Sequence, residues 1–323
     1  MERLWAMTAT VFDKLRADDE SATFLVSREK KNFDELYRIQ ERLQTGSYGT
    51  VYRVTSRRAP EKDFAAKIIK RSGLAKALEN DIRSEVQTMQ SLADVEGVTK
   101  LVDYFVTDSF FIIVQTLARG GDLFDRISKH SLYSEHEART TAIKLLQTLR
   151  VLHGRHTVHR DIKPENILLS SPGDIESVLL ADFGFAARLP KEGFFTRRCG
   201  SPAYIAPEVW KSYPYDYACD MWSMGVVLYM LVDGFSPFDG RNDSEIRQRS
   251  CSGKVQFKSP QWDRVSSDAK ELILGLLAID PSKRLTVEEA IQSRWIQSGL
   301  TDALFNNLDW DPSELVDSCK SSL

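Results

Sequence analysis

The sequence predicts an α+β fold of two unequal lobes, a small lobe rich in strands followed by a larger helical one. Residues 37–114 contain four short apolar or alternating stretches bounded by turn residues: YRIQERLQ, GTVYRVTSR, FAAKIIK and FFIIV. Beyond Asp122, apolar residues recur three and four positions apart, as in HEARTTAIKLLQTLRVLH and SDAKELILGLLAI, which is the period of an amphipathic helix. A short link at 116–121 separates the two patterns, so we assign the lobes to residues 37–117 and 118–296.

The small lobe also contains one helical stretch, and two charged segments flank the lobes. The helix is predicted at Glu79–Leu92, where Ile82 and Val86 lie at helical spacing. Residues 1–36 carry a net charge of −2, and residues 297–323 carry −4. We therefore predict an N-terminal leader and an acidic C-terminal tail.

Composition and charge argue against several classes of protein. Of 323 residues, 42% are hydrophobic and 28% charged, as in an ordinary globular protein. The net charge is −3, whereas a nucleic-acid-binding protein is expected to show a basic excess. The longest apolar run, Met224–Val232, is less than half the length of a membrane span. We see no secretory signal, and the four scattered cysteines form no disulfide or zinc pattern, so we expect a cytoplasmic protein, with the nucleus as the alternative.

Two features of the small lobe suit phosphate binding. The turn between the first two predicted strands is Gly46-Ser47-Tyr48-Gly49, where glycines let backbone amides approach phosphate oxygens, although a plain hairpin explains it equally well. Lys67 lies on the third predicted strand, and Glu85 follows 18 residues later on the predicted helix. Most lysines are solvated surface groups, but a Lys67–Glu85 pair would hold the ammonium where it can meet phosphate oxygens.

The large lobe contains the segment VHRDIKPENILL, followed by ADFGFA. Asp161 and Asn166 lie five positions apart on a predicted loop, and Asp182 follows Asp161 by 21 residues. Mg²⁺ prefers hard oxygen ligands and usually binds one or two carboxylates together with substrate phosphates, so Asn166 and Asp182 are candidate ligands. Asp161 would then be free to accept a proton from an attacking hydroxyl.

Taken together, these residues resemble the signature of the eukaryotic protein kinases. The lysine on the third strand, the HRD…N loop, DFG at 182–184 and Ala206-Pro207-Glu208 occur in the order and spacing of that family. The resemblance spans Tyr37–Ile296 and implies the bilobal protein-kinase fold. Lys163 in HRDIKPEN is similar to the serine/threonine form. The segments GGDLFDRI, SPQWDRVSSDAKELI and DPSKRLTVEEAIQSRWI resemble the calcium/calmodulin-dependent kinase group.

The resemblance implies transfer of the ATP γ-phosphoryl group to a protein serine or threonine, with ATP and Mg²⁺ as cofactors and Mn²⁺ as an alternative metal. It implies that Lys67, oriented by Glu85, holds the α- and β-phosphates. Asp161 would accept the hydroxyl proton, and Lys163 would stabilise the transferring phosphoryl group. The further residues expected to contact ATP are Leu43, Gly46, Ser47, Tyr48, Gly49, Val51, Ala65, Gln115, Thr116, Ala118, Asp122, Glu165 and Leu168.

The resemblance also implies structural and substrate contacts. Asp220 in DMWSMGV is expected to brace the catalytic loop, and Arg284 is expected to pair with Glu208. Asp122 and Glu165 would offer negative charge to a basic residue a few positions before the phosphorylated one. The expected partners are protein substrates, and we expect a monomer.

The chain departs from the family pattern in two places. Gln44 replaces the first of three glycines in the phosphate-binding turn, which weakens ATP affinity at most. In the activation segment, FFTRRCGSPAYIAPE, Arg197 stands where many relatives carry a phosphorylatable threonine whose phosphate Arg160 would bind. Thr196, one position away, is the alternative phosphorylation site. We predict that activity does not require phosphorylation here; loss of activity in a folded Thr196→Ala variant would contradict this.

Regulation and a second function class stay open. The tail lacks the basic amphipathic helix typical of calmodulin targets, and no EF-hand pattern occurs, so we expect no calmodulin regulation through the tail. A stripe of Trp5, Phe12 and Leu15 in the leader is the alternative calmodulin contact. The competing function is a pseudokinase or scaffold that uses the fold only to bind partners, supported by Gln44 and the unusual activation segment. A P-loop NTPase is excluded because the GxxxxGK[ST] pattern is absent.

Overall fold

The small lobe is built on one antiparallel sheet. A computed structural model describes residues 32–46, 49–129 and 133–299. Five strands pair in the order β1-β2-β3-β5-β4. The strand bounds are β1 (Tyr37–Thr45), β2 (Thr50–Ser56), β3 (Asp63–Lys70), β4 (Leu101–Val106) and β5 (Phe110–Thr116).

The sequence pattern predicts four of these strands and misses β4. This strand lies at the edge of the sheet and has a register shift between Leu101 and Asp103. The Asp103 carboxylate accepts a hydrogen bond from the Tyr37 hydroxyl at the start of β1. A short edge strand whose pattern is broken by a bonded carboxylate gives little of the alternation that identifies a strand.

The core of the small lobe begins four residues before β1. A short helix, α1 (Phe33–Leu36), buries Phe33 against the outer face of the sheet. The Phe33 ring stacks on Tyr37 with centroids 5.4 Å apart and meets Phe105 edge-on at 5.5 Å. These aromatic contacts join the end of the predicted leader to the lobe, whereas residues 1–31 and 300–323 lie outside the described residues.

Strand alternation places Lys67 on the inner face of the sheet. On β3, Ala66 and Ile68 pack into the outer aromatic cluster, so Lys67 and Ile69 face the opposite way. The helix α2 (Lys76–Ser91) packs on that inner face and begins three residues before the predicted start. Glu85 lies beside Val86 in the buried part of this helix and reaches the Lys67 side chain.

The large lobe is helical. Its helices are α3 (Leu123–Lys129), α4 (Glu135–Gly154), α5 (Pro207–Trp210), α6 (Ala218–Asp233), α7 (Asp243–Ser252), α8 (Ser267–Leu276) and α9 (Val287–Ile291). The apolar run 224–232 belongs to α6 and is buried throughout, because this helix forms the centre of the lobe. In the described ranges no helix has the length and apolarity needed to cross a membrane. The predicted α+β fold of two lobes is confirmed.

Two small strand pairs bring the predicted catalytic loops together. Strand β6 (Thr157–Val158) pairs with β9 (Ala187–Arg188), and β7 (Ile167–Leu169) pairs with β8 (Val178–Leu180). The loop 159–166 follows β6, and the loop 181–186 follows β8, so the pairings hold the two loops side by side. The Ala181 amide donates to the Asn166 carbonyl at 2.8 Å across this junction.

Candidate active site

Lys67 forms the centre of an ion-pair network between the lobes. Its Nζ lies 2.8 Å from Glu85 Oε1 on α2 and 2.9 Å from Asp182 Oδ1. Asp182 has a left-handed backbone conformation with φ 57°, and its Oδ1 also accepts from the Gly184 amide at 3.3 Å. Phe183 turns the other way and is buried edge-on against His159, with centroids 5.2 Å apart. The predicted Lys67–Glu85 pair is thus formed, and Asp182 joins it.

Opposite charges outweigh burial for Lys67 and Asp182, whereas for Glu85 burial outweighs the Lys67 charge and leaves its pKa above the usual value. Burial lowers the pKa of Lys67, but the Glu85 and Asp182 carboxylates raise it by more, so the pKa lies above its usual value. Burial raises the pKa of Asp182, but the Lys67 ammonium holds it below its usual value. Lys67 is therefore a cation and Asp182 an anion at neutral pH, as phosphate and metal binding require.

Asp161 is buried and oriented from three sides. Its Oδ1 accepts from the Ser201 amide at 2.8 Å, and its Oδ2 accepts from Asn166 Nδ2 at 3.0 Å and lies 2.9 Å from Lys163 Nζ. Lys163 also donates to the Ser201 hydroxyl at 2.7 Å. Sequence reasoning missed Ser201, because a single serine in a loop carries no periodic or motif signal. This carboxylate is held in one orientation, as a general base must be.

The two predicted metal ligands offer the right donor chemistry for Mg²⁺. Asn166 directs its Nδ2 to the carbonyl and carboxylate of Asp161, at 2.9 and 3.0 Å, so its amide oxygen is the atom left for a cation. Asp182 supplies a carboxylate. Among the described residues no group of three or more His, Cys, Asp or Glu side chains forms a metal site, so the ion would complete its coordination with phosphate oxygens and water. The residues fit Mg²⁺ bound together with a nucleotide.

Most of the residues predicted to contact the nucleotide lie on β1, β2, β3, β5 and β7, in the turn after β1 and in the link between the lobes. Gly49 cannot be replaced without displacing backbone, because a Cβ there would lie 2.6 Å from the Ile68 carbonyl oxygen. Gln115 and Thr116 end β5; the Thr116 amide donates to the Lys100 carbonyl at 2.9 Å. The remaining described members of the set are Leu43, Gly46, Val51, Ala65, Ala118 and Leu168. Ser47 and Tyr48 lie outside the described residues.

Asp122 and Glu165, two further predicted nucleotide contacts, have different surroundings. Asp122 Oδ1 accepts from the Asp125 amide at 2.7 Å and so caps the start of α3. Glu165 Oε2 is buried without a hydrogen-bond partner among the described residues. Burial raises the pKa of Glu165, and the nearby carboxylates of Asp122 and Asp161 raise it further. A buried carboxylate oxygen without a partner is costly, so this position is suited to receiving a cation.

The three predicted anchors are formed. Asp220 accepts from the amides of His159 and Arg160 at 2.9 and 2.8 Å and from His153 Nε2 at 2.9 Å, so it fixes the backbone that leads to Asp161. Arg284 donates to both carboxylate oxygens of Glu208, at 2.6 and 2.9 Å. The Arg284 side chain is fully buried.

The activation segment is held by contacts that the sequence did not predict. Arg160 donates through Nε to the Phe185 carbonyl at 2.7 Å, and its guanidinium lies 4.4 Å from the centroid of Phe195. Thr196 is exposed, and no contact joins it to Arg160 within the described part of the chain. Arg197 instead donates two hydrogen bonds of 3.0 Å to the Asp81 carboxylate on α2. The sequence pattern had no signal for Asp81, which is one of several charged residues on that helix.

The fold and this site define a protein kinase of the serine/threonine type, and the comparisons agree. The chain belongs to the protein kinase family, whose domain model matches residues 37–296. It is 33% identical over 263 residues to calcium/calmodulin-dependent protein kinase type 1 of Macrobrachium nipponense, covering 81% of this chain and 75% of that one. Identity to myosin light chain kinase A of Dictyostelium discoideum is 34%, covering 82% and 89%, respectively. The chain is 35% identical to calcium/calmodulin-dependent protein kinase type IV of Mus musculus, and the alignment covers 81% of this chain and 55% of that one.

Proposed function

We propose that this kinase transfers the ATP γ-phosphoryl group to serine or threonine residues that follow one basic residue, and that it does so without calmodulin. The observation that carries the proposal is the complete catalytic arrangement in the chain alone: Lys67 pairs with Glu85 and Asp182 while Asp161 is oriented by its three donors. A scaffold would not need these charges in these positions.

Each side chain has a defined part in the proposed reaction. Lys67 would bind the α- and β-phosphates, and Asp182 and Asn166 would hold Mg²⁺, which would supply positive charge to the phosphates. Asp161 accepts the proton of the attacking hydroxyl, because its neighbours hold its carboxylate in one orientation. Lys163 lies 2.9 Å from Asp161 and supplies a positive charge where the transferring group passes. Catalysis is therefore positioning together with charge stabilisation.

Glu165 supports recognition of a single basic residue. Its buried, unpartnered carboxylate oxygen would gain a partner from a substrate arginine. Met230 supplies no charge for a second basic residue, because it is a buried thioether whose sulfur accepts from the Tyr204 hydroxyl at 3.5 Å. One buried carboxylate oxygen without a partner supports recognition of one arginine rather than two.

We also propose that the protein works in the cytoplasm, with the nucleus as the alternative compartment. The cysteines among the described residues, Cys199, Cys219 and Cys251, are free thiols. Free thiols are what a reducing compartment maintains.

The Asp182→Asn substitution tests the proposed transfer. Phosphatase-treated protein would be assayed with Mg²⁺ and a peptide carrying arginine three residues before serine, with and without Ca²⁺–calmodulin. We expect transfer in both conditions and a loss of about 10²–10³-fold in the variant, since the loss removes a metal ligand from the transition state. Asp263→Asn, at an exposed aspartate of the large lobe, is the matched control. If neither the wild type nor the variant transfers phosphate, and an upstream kinase does not activate the wild type, the result would favour the scaffold function.

The Glu165→Gln substitution tests the basic-residue preference. We expect kcat/KM for the arginine peptide to fall about tenfold, as for a lost charge-assisted hydrogen bond, with no change for the matching alanine peptide. Because the pKa of Glu165 is raised, the wild-type preference should disappear on acidification at a higher pH than an ordinary glutamate, about 4.3, would give. The variant should show no such pH dependence. An arginine preference that is equal in both proteins would contradict this assignment.

A further inference from the structure

A bidentate ion pair joins the activation segment to the helix that carries Glu85. Arg197 donates through both terminal nitrogens to the two Asp81 oxygens, each at 3.0 Å. Asp81 and Glu85 are four residues apart on α2, so they lie one turn apart on the same side of the helix. A contact that fixes Asp81 therefore also fixes the rotation of α2 that directs Glu85 at Lys67.

The Arg197 end of this pair is anchored to the large lobe. The Tyr215 hydroxyl donates to the Arg197 carbonyl at 2.6 Å, and Phe195 exchanges two backbone hydrogen bonds with Tyr215, at 2.7 and 3.1 Å. The Arg160 guanidinium covers the Phe195 ring. Arg160 belongs to the loop braced by Asp220. The backbone at Arg197 is therefore fixed to the large lobe through Tyr215.

The far end of α2 has a separate attachment. Arg155, after α4, donates to both Asp94 oxygens at 2.7 and 2.6 Å and to the Ser91 carbonyl at 3.2 Å. The Arg155 guanidinium lowers the pKa of Asp94 to about 2. Arg155 ties the C-terminal end of α2 to the large lobe, and the Arg71–Glu79 pair at 3.2 Å ties its N-terminal half to the small lobe. The Arg197–Asp81 pair joins that N-terminal half to the activation segment.

We propose that Arg197 is a positioning residue whose permanent charge, paired with Asp81, holds α2 in the catalytic position without any phosphorylation of the activation segment. The proposal rests on the proposed kinase function, since it concerns how the Lys67–Glu85 pair is maintained. A guanidinium and a carboxylate are both charged at every physiological pH, so the contact needs no modifying enzyme. The Arg197 side chain is 68% exposed, so the contact should weaken as salt increases.

A charge-swap cycle tests the proposal: Arg197→Asp, Asp81→Arg and the double variant, all phosphatase-treated. Each single variant places like charges together, and we expect kcat to fall about fivefold, the upper range for an exposed pair, with KM for the peptide unchanged. The double variant restores opposite charges and should regain at least half of the wild-type kcat. The matched control is Arg294→Asp, which breaks an exposed pair with Glu271 in the large lobe and should leave kcat within about twofold.

Hydrogen exchange of the α2 amides gives a readout that does not need activity. Exchange should be faster in both single variants and return to the wild-type rate in the double variant. Unchanged exchange in the single variants, or no recovery in the double variant, would overturn the proposal even if the wild type is an active kinase. If the exchange pattern is as expected but the protein transfers no phosphate, the proposed function is contradicted. The positioning role of Arg197 would then remain supported.

Discussion

The Asp161→Asn substitution is expected to lower kcat for peptide phosphorylation by about 10²–10⁴-fold, the contribution of a positioned general base. An asparagine amide cannot accept the hydroxyl proton, and its NH₂ group would face the Ser201 amide or Lys163, which are themselves donors. Asp161 lies outside the Lys67 network, and an asparagine in its place keeps one oxygen that can accept from Asn166 Nδ2, so the affinity for MgATP should stay within about twofold. Steady-state kinetics and a nucleotide-binding titration measure the two quantities separately.

The Asn166→Ala variant is the comparison for Asp161→Asn, because Asn166 orients Asp161 and is also assigned to the metal. Asn166→Ala should lower both kcat and MgATP affinity, because it removes an assigned metal ligand as well as a donor to Asp161. A kcat for Asp161→Asn within tenfold of wild type would show that Asp161 is not the base.

The Arg284→Ala substitution is expected to lower the free energy of unfolding by about 3–5 kcal/mol, because it leaves a buried carboxylate without its partner. Glu208 is 4% exposed, and Arg284 also donates to the carbonyls of Ala218 and Ala278, at 2.8 and 3.0 Å. Without the Arg284 guanidinium these buried oxygens would have neither a protein donor nor water. Urea unfolding measures the effect as a shift of the midpoint.

Arg294→Ala is the matched control for stability. Arg294 is 75% exposed and pairs with Glu271 on the surface, so its removal should change the free energy of unfolding by no more than about 0.5 kcal/mol. If the two variants unfold at the same urea concentration, the buried pair contributes nothing and the anchoring role assigned to Arg284 is wrong. The double variant Glu208→Gln/Arg284→Met should lose less stability than Arg284→Ala, because no unpaired charge remains.

The positions of the candidate catalytic side chains could be predicted from the sequence because they follow from local rules. Alternation on β3 sends Lys67 to the same face as Ile69, and helical spacing puts Glu85 next to Val86 on α2. The two elements pack on each other, so the pair forms. The loops with Asp161 and Asp182 were recognised because their residue types and spacing match one family motif.

Strand β4, helix α1 and the contacts of Ser201 could not be predicted, because no periodicity or motif in the sequence marks them. Strand β4 has a bulge and a bonded carboxylate, so its alternation is weak. Phe33 was assigned to a leader because α1 is only four residues long, too short for a period to be read. Ser201 contacts Asp161 through its backbone amide and Lys163 through its hydroxyl, but a single loop serine has no spacing or motif that predicts either contact.

Residue types and their spacing were sufficient to predict the two lobes, the kinase family and the charges that carry the chemistry, because periodicity and loop motifs are local properties of the chain. Only the tertiary structure decided how those charges are held. Arg197 and Asp81 are 116 positions apart, and neither follows a pattern that distinguishes it from other charged surface residues. Their contact depends on where the activation segment and α2 meet after both lobes have packed.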